Sequence, residues 1–122
     1  MSDLWLNQID SLREDESIQG SFHCHLDFMK GIMVFTDQRM IFIQGGGRFN
    51  NIYTKGLEAD YDDVVDVELD PGDRLRFRLK DDKYYHYLET IDIPTSKILD
   101  ILNNYIDVHY YYETELPEEI PV

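Results

Sequence analysis

Residues Val64 to Lys80 alternate apolar and charged side chains on both sides of a turn signal, and no other stretch constrains the fold as tightly. Val65, Val67 and Leu69 alternate with Asp66, Glu68 and Asp70, while Leu75, Phe77 and Leu79 alternate with Arg74, Arg76, Arg78 and Lys80. A period of two places each set on its own face of a strand. Between the strands, Asp70-Pro71-Gly72-Asp73 is a turn signal with proline where its ring presets φ. Matching the faces decides the loop length. A two-residue loop at Pro71-Gly72 sets Leu69 opposite Arg74 and Val67 opposite Arg76, mixing apolar with charged. A three-residue loop, Pro71 to Asp73, pairs Asp70 with Arg74, Glu68 with Arg76 and Asp66 with Arg78. It also stacks Leu69 on Leu75, Val67 on Phe77 and Val65 on Leu79, so the three-residue loop is expected.

A second hairpin is expected upstream. Ile32 to Phe35 and Met40 to Ile43 are dense apolar runs around Thr36-Asp37-Gln38-Arg39, read as two strands joined by a two-residue loop at Asp37-Gln38. Apolar residues on both faces of each strand place this hairpin at the centre of the core. Ser17 to Leu26 reads as a strand, Asp27 to Gly31 as a connection, Phe49 to Lys55 as a shorter strand and the acidic stretch Glu58 to Asp63 as a loop. Tyr84 to Ile91 is a seventh strand. Ser2 and Asp3 precede Leu4, Trp5, Ile9 and Leu12 at helical spacing, which predicts a short N-terminal helix within residues 1–13. After Pro94-Thr95-Ser96, the stripe Ile98, Leu99, Ile101, Leu102, Tyr105 and Ile106 predicts an amphipathic C-terminal helix. Residues 109–122, with two prolines, four glutamates and no Lys or Arg, read as an extended or disordered tail. The expected class is mainly β (α+β): one domain of 122 residues, with two packed antiparallel sheets and a helix over an open end.

Charge bears on function. Eleven Lys and Arg face 25 Asp and Glu, for a formal charge of −14. That balance argues against general nucleic-acid binding and against docking on an anionic membrane, both of which need positive potential. The single cysteine, Cys24, excludes an internal disulfide and suits a reducing, cytoplasmic compartment. No apolar run is long enough to span a bilayer, and the acidic N-terminus does not read as a signal peptide.

The run Gly31-Ile32-Met33-Val34-Phe35-Thr36-Asp37-Gln38-Arg39-Met40-Ile41-Phe42-Ile43 resembles the hairpin of the bacterial PH-like domains, related to pleckstrin-homology and GRAM domains and including short YokE-like proteins. That hairpin reads glycine, apolar run, Thr-Asp/Asn-x-Arg, apolar run. Tyr61-Asp62-Asp63-Val64-Val65-Asp66-Val67-Glu68 is similar to a later strand of the same family. The resemblance covers about residues 14–107 and implies a PH-like, seven-stranded antiparallel sandwich or barrel closed by a C-terminal helix. It implies no catalytic residues and no cofactor. Its motifs are packing and turn residues, nearly silent on function. A non-catalytic protein-binding or assembly module of a bacterium or prophage is expected, recognising its partner through an exposed sheet edge, the surface beside the C-terminal helix or the Tyr-Glu tail, with assembly through exposed edges as one option.

Candidate sites follow from residue chemistry. Eukaryotic PH domains bind phosphoinositides with lysines and arginines in the first strand connection, but Asp27-Phe28-Met29-Lys30 carries one lysine, and Arg74, Arg76 and Arg78 are given acidic partners. No lipid binding is expected. His23, His25 and Asp27 share one face of a strand and make a weak metal-ligand string, outweighed by their reading as surface polar residues. Cys24 on the opposite face reads as a buried small apolar residue. Gly45-Gly46-Gly47 lacks the Lys-Ser/Thr and the helix of a phosphate loop. Tyr61 lies among Glu58, Asp60, Asp62 and Asp63, and Tyr110, Tyr111 and Tyr112 precede Glu113, Glu115, Glu118 and Glu119. Either these are solubilising and packing features, or they dock on a basic groove with tyrosines as anchors. An alternative function is an acidic inhibitor whose ordered carboxylates imitate nucleic-acid phosphates.

Overall fold

The structure, a computed structural model, describes residues 12–47 and 50–110; the expected N-terminal helix lies almost wholly, and the tail past Tyr110 entirely, outside the described residues. Among the described residues, eight strands form one sheet. They are β1 (Ile18–Leu26), β2 (Met29–Thr36), β3 (Arg39–Gly47), β4 (Asn50–Asp60), β5 (Val64–Asp70), β6 (Arg74–Leu79), β7 (His86–Thr90) and β8 (His109–Tyr110). Their spatial order is β4-β3-β2-β1-β7-β6-β5-β8. The first seven pair antiparallel, and the two-residue β8 runs parallel to β5. The expected pair of sheets is therefore a single curled half-barrel. β4 and β5 follow each other in the chain through a 3-10 turn, Tyr61–Asp63, yet sit far apart in the sheet order.

Both hairpin loops have the expected lengths. Phe35 pairs with Met40 and the two strands end at Thr36 and Arg39, leaving Asp37-Gln38 as the loop, and Asp70 pairs with Arg74 across Pro71 to Asp73. Leu69 faces Leu75 and Glu68 faces Arg76, but the ladder then slips, so that Val64 rather than Val65 stands opposite Leu79. Asp66 takes a positive φ of 54° at this bulge. The slip rotates Val64 into the core, while Val67 and Phe77 remain buried. Asp66 still reaches Arg78, with Oδ2 2.6 Å from Nη2.

Three other expectations are corrected. The connection after β1 is only Asp27-Phe28, because Lys30 and Gly31 pair with His25 and Cys24. The stretch Glu58 to Asp60 is strand rather than loop, since Glu58 pairs with Ile41 and Ala59 with Met40. β7 is shorter than its aromatic run suggests.

The main core gathers Met33, Phe35, Met40 and Phe42 from the central hairpin with Leu75, Phe77 and Leu88 from the far strands. Ile32, Val34, Ile41 and Ile43 form a second buried cluster from the alternate positions of β2 and β3, so both faces of this hairpin are covered. The C-terminal helical segment is shorter than its apolar stripe suggests: a 3-10 turn, Thr95–Ile98, runs into α1 (Leu99–Leu102). Ile98, Leu99 and Leu102 insert into the main core, with Tyr105 and Ile106 packed against it. The segment starts at Pro94 without a local cap. Asp73 supplies one from the β5–β6 loop, accepting from the backbone N–H groups of Thr95 at 2.8 Å and Ser96 at 3.2 Å.

Candidate functional site

Strongly shifted ionisable groups mark the first place to look. Glu16 and Arg39 are both buried, with Arg39 Nε 2.8 Å and Nη2 3.0 Å from the two Glu16 oxygens. The Thr36 hydroxyl donates to Glu16 at 2.6 Å and accepts from the Gln38 and Arg39 N–H groups, closing the two-residue turn. Glu58 binds the remaining arm of Arg39, and the Tyr61 hydroxyl donates to the Thr36 carbonyl at 2.6 Å. Burial pushes the Glu16 carboxyl up, but hydrogen bonds from Arg39, Thr36 and the Arg13 backbone outweigh it and hold its pKa at about 2. Burial, reinforced by the charges near it, pushes the Tyr61 phenol up. At the centre of this network, Glu16, Thr36 and Arg39 are buried. The network ties the chain entering β1 to the central hairpin, which gives the Thr-Asp-x-Arg motif a structural role. Tyr61 is consequently a core residue stacked on Tyr105, ring centroids 4.9 Å apart, and the docking role considered for it is withdrawn.

Beside the network lies a polar cleft of about 360 Å³ lined by Asp37, Asp60 and Asp62, into which Arg13 reaches to pair with Asp60 at 2.7 Å. Arg74, Arg76 and Arg78 each hold an acidic partner, Asp70, Glu68 and Asp66. Arg74 and Arg76 also stack over Tyr87 and Tyr85 at 4.6 and 4.4 Å. The arginine row is spent within the sheet.

The β1–β2 turn is different. Leu26 pairs with Met29, so Asp27 and Phe28 are its two central residues, with φ of 53° and 71°. Tight hairpins with two left-handed residues match the twist of the strands, but glycine or asparagine normally fills them. An aromatic residue there is strained. Phe28 is 93% exposed and Met29 38%, so the strain holds an apolar tip in water. Asp27 fixes the tip from behind: its Oδ1 accepts the Tyr87 N–H at 2.9 Å, its own N–H donates to the Tyr87 carbonyl at 2.9 Å, and its Oδ2 lies 2.7 Å from His86 Nδ1. The other ring nitrogen of His86, Nε2, lies 3.1 Å from Asp82 Oδ2. Burial alone lowers the His86 pKa, but the hydrogen bonds to Asp27 and Asp82 prevail and raise it above the ordinary value. Tyr84, 79% exposed, sits on the same β6–β7 loop as Asp82.

Asp27 is thus committed to His86 and Tyr87, while His23 and His25 are exposed on β1. These three do not converge, and among the described residues no group of three His, Cys, Asp or Glu is placed to hold a metal ion. Cys24 is fully buried, and burial pushes its thiol up to about 12, which removes it as a nucleophile. Gly45 to Gly47 are the end of β3, with no helix following them. Of the tyrosine-glutamate tail, only the backbone of Tyr110 is described, in β8; Tyr111, Tyr112, Glu113, Glu115, Glu118 and Glu119 lie outside the described residues. Sequence reasoning placed a connection at Asp27 to Gly31 but did not single out its Asp27-Phe28 tip, because no glycine stands at the two turn positions. The only available signal was an aromatic residue next to an aspartate between two strands.

No helix among the described residues is long and apolar enough to cross a membrane. No protein-family model and no curated protein sequence matches the chain. Among solved structures, the chain is similar to the hSac2 domain from human phosphoinositide phosphatase Sac2, with a TM-score of 0.54 and 11% identity over 88% of this chain and 84% of that one. At that identity the likeness speaks for the fold alone, and the fold of this chain is PH-like.

Proposed function

We propose that the chain is a non-catalytic, PH-like protein-binding module that engages its partner through the β1–β2 tip. The observation that carries this reading is Phe28, an almost fully exposed phenylalanine on a backbone that is strained and held by Asp27. An exposed aromatic on a preorganised turn loses little conformational freedom on binding and fills a pocket well. With a formal charge of −14 on the chain, the matching partner surface is an apolar pocket with a basic rim. Charge also argues against a membrane surface, and the engaged arginines argue against a phosphorylated lipid headgroup. The motif resemblance favours the bacterial PH-like proteins, including those of prophages, and a cytoplasmic setting suits a lone buried thiol.

Nucleic-acid mimicry is the weaker reading, because Asp66, Glu68 and Asp70 are neutralised by arginines rather than arrayed free. The tail is a second docking element with one observation in its favour: its root, His109–Tyr110, is anchored on β5 beside Glu68 and Leu69. The test compares partner capture by the wild type, Phe28→Asp and the double variant Tyr111→Ser/Tyr112→Ser, with nuclease present. Loss of one specific partner in Phe28→Asp alone, at an unchanged unfolding midpoint, is the expected result. Equal capture by Phe28→Asp refutes the tip, and loss in the tail variant instead moves recognition there.

A further inference from the structure

The arrangement around His86 has a proton requirement. A neutral imidazole has one N–H and one lone pair, so it can donate to one carboxylate only. In this protein both ring nitrogens face carboxylate oxygens, Nδ1 toward Asp27 at 2.7 Å and Nε2 toward Asp82 at 3.1 Å. Both contacts are favourable only when the ring carries two protons. Asp27 belongs to the β1–β2 turn, and Asp82 to the β6–β7 loop. The Phe77 ring of β6, uncharged, also packs beside the imidazole, with its centroid 5.3 Å from that of His86. Arg78, also on β6, donates to the Asp82 backbone carbonyl at 3.0 Å while paired with Asp66, so it braces the loop, and its cation also attracts the Asp82 carboxylate.

We propose that His86 is a proton-operated staple, whose charged ring holds the β6–β7 loop against the β1–β2 turn and so sets the shape of the docking tip. This rests on the reading of Phe28 as the docking element and names its regulation. When the ring is neutral, the shorter Nδ1–H contact to Asp27 persists. The Tyr87 N–H, which also anchors Asp27, keeps the turn in place. The Nε2 lone pair then faces the Asp82 carboxylate, and the repulsion releases residues 81–85, including exposed Tyr84. Acidification assembles the surface of Phe28 and Tyr84, and alkalinisation loosens its second half. A histidine between two carboxylates keeps its second proton to higher pH than a free imidazole does.

The staple is tested on the free protein, without a partner. Imidazole nitrogen NMR follows the His86 protons from about pH 5 to about pH 9. Amide protection factors are measured at 82–85 over the same range. The expected result is loss of the Nε2 proton first, with protection falling about tenfold across the same midpoint, as for the loss of one charge-assisted hydrogen bond. In Asp82→Asn the amide donates to the neutral Nε2, so protection at 82–85 should stay constant through the titration. Protection unchanged in the wild type, or the same fall in Asp82→Asn, overturns the staple. Neither outcome bears on Phe28, because the capture experiment tests that residue alone. A confirmed staple with equal capture by Phe28→Asp would sink the docking reading instead.

Discussion

At the residue scale, Glu16 is a buried charge on which stability depends. Its carboxylate has no exposed surface and holds Arg39, which is 9% exposed, against the central hairpin. Removing Glu16 leaves Arg39 its pairing with Glu58 but takes away the buried carboxylate that both Nε and Nη2 bind, a cost of about 3 kcal/mol. Glu16→Ala is expected to lose that much in urea unfolding at neutral pH. The wild type should lose the same contribution in acid. A folded-state pKa held at about 2 against an ordinary 4.5 stabilises the protein above 4.5, and that stabilisation disappears as pH falls toward 2. Cys24 gives a second residue-scale prediction. Its buried, high-pKa thiol should be silent to a thiol reagent in the native state and react fully only after unfolding. Rapid labelling of the folded protein would show that β1 opens far more readily than its packing implies.

At the element scale, strands meet where side chains leave room. A Cβ on Gly31 would sit 2.3 Å from the Ile43 carbonyl oxygen, whereas one on Gly56 would come no nearer than 3.2 Å, to the movable Phe42 ring. Backbone cannot yield as a ring can, so Gly31→Ala should cost about 2 kcal/mol or more and Gly56→Ala clearly less; equal thermal midpoints would contradict this. The β5–β6 loop makes a comparable point. Asp73 has a φ of 61° and also caps Thr95 and Ser96. Asp73→Ala should cost about 2 kcal/mol, half from the lost cap and half from the left-handed backbone, and Asp73→Gly should recover the second half. The loop length and the pairs Asp70–Arg74 and Glu68–Arg76 were legible from alternation. The slip at Asp66 was not, because exchanging Val65 for Val64 in the core leaves an equally apolar strand.

At the scale of the whole molecule, two titrations of opposite sign bound the stability. The His86 pKa is raised above 6.5 in the folded state. Its contribution is therefore present in full below 6.5 and is lost as pH rises through the higher folded value. Together with Glu16, this predicts a maximum of unfolding free energy between the carboxylate and imidazole ranges, and His86→Gln should flatten the alkaline side alone. Salt should move the midpoint little. The exposed Arg–Asp pairs of β5 and β6 are worth little individually, and screening also relieves the self-repulsion of a chain with charge −14.

By itself the sequence determined what depends on neighbours along the chain. The two hairpins, their loop lengths, the central position of residues 31–43 and the burial of Cys24 all follow from period-two patterns and turn chemistry that act within a few residues. Tertiary structure alone decided the rest. One curled sheet formed instead of two, because β1 pairs with β7 across some 60 residues. Tyr61 went to the core because the Thr36 carbonyl was there to receive its hydroxyl. Asp73 became a helix cap at a distance of 22 residues, and Asp27 found its partners on β7. Local patterns record which face of a strand is apolar. They carry no record of which distant donor or carboxylate that face will meet, and the strained turn that presents Phe28 exists only because such a meeting holds it.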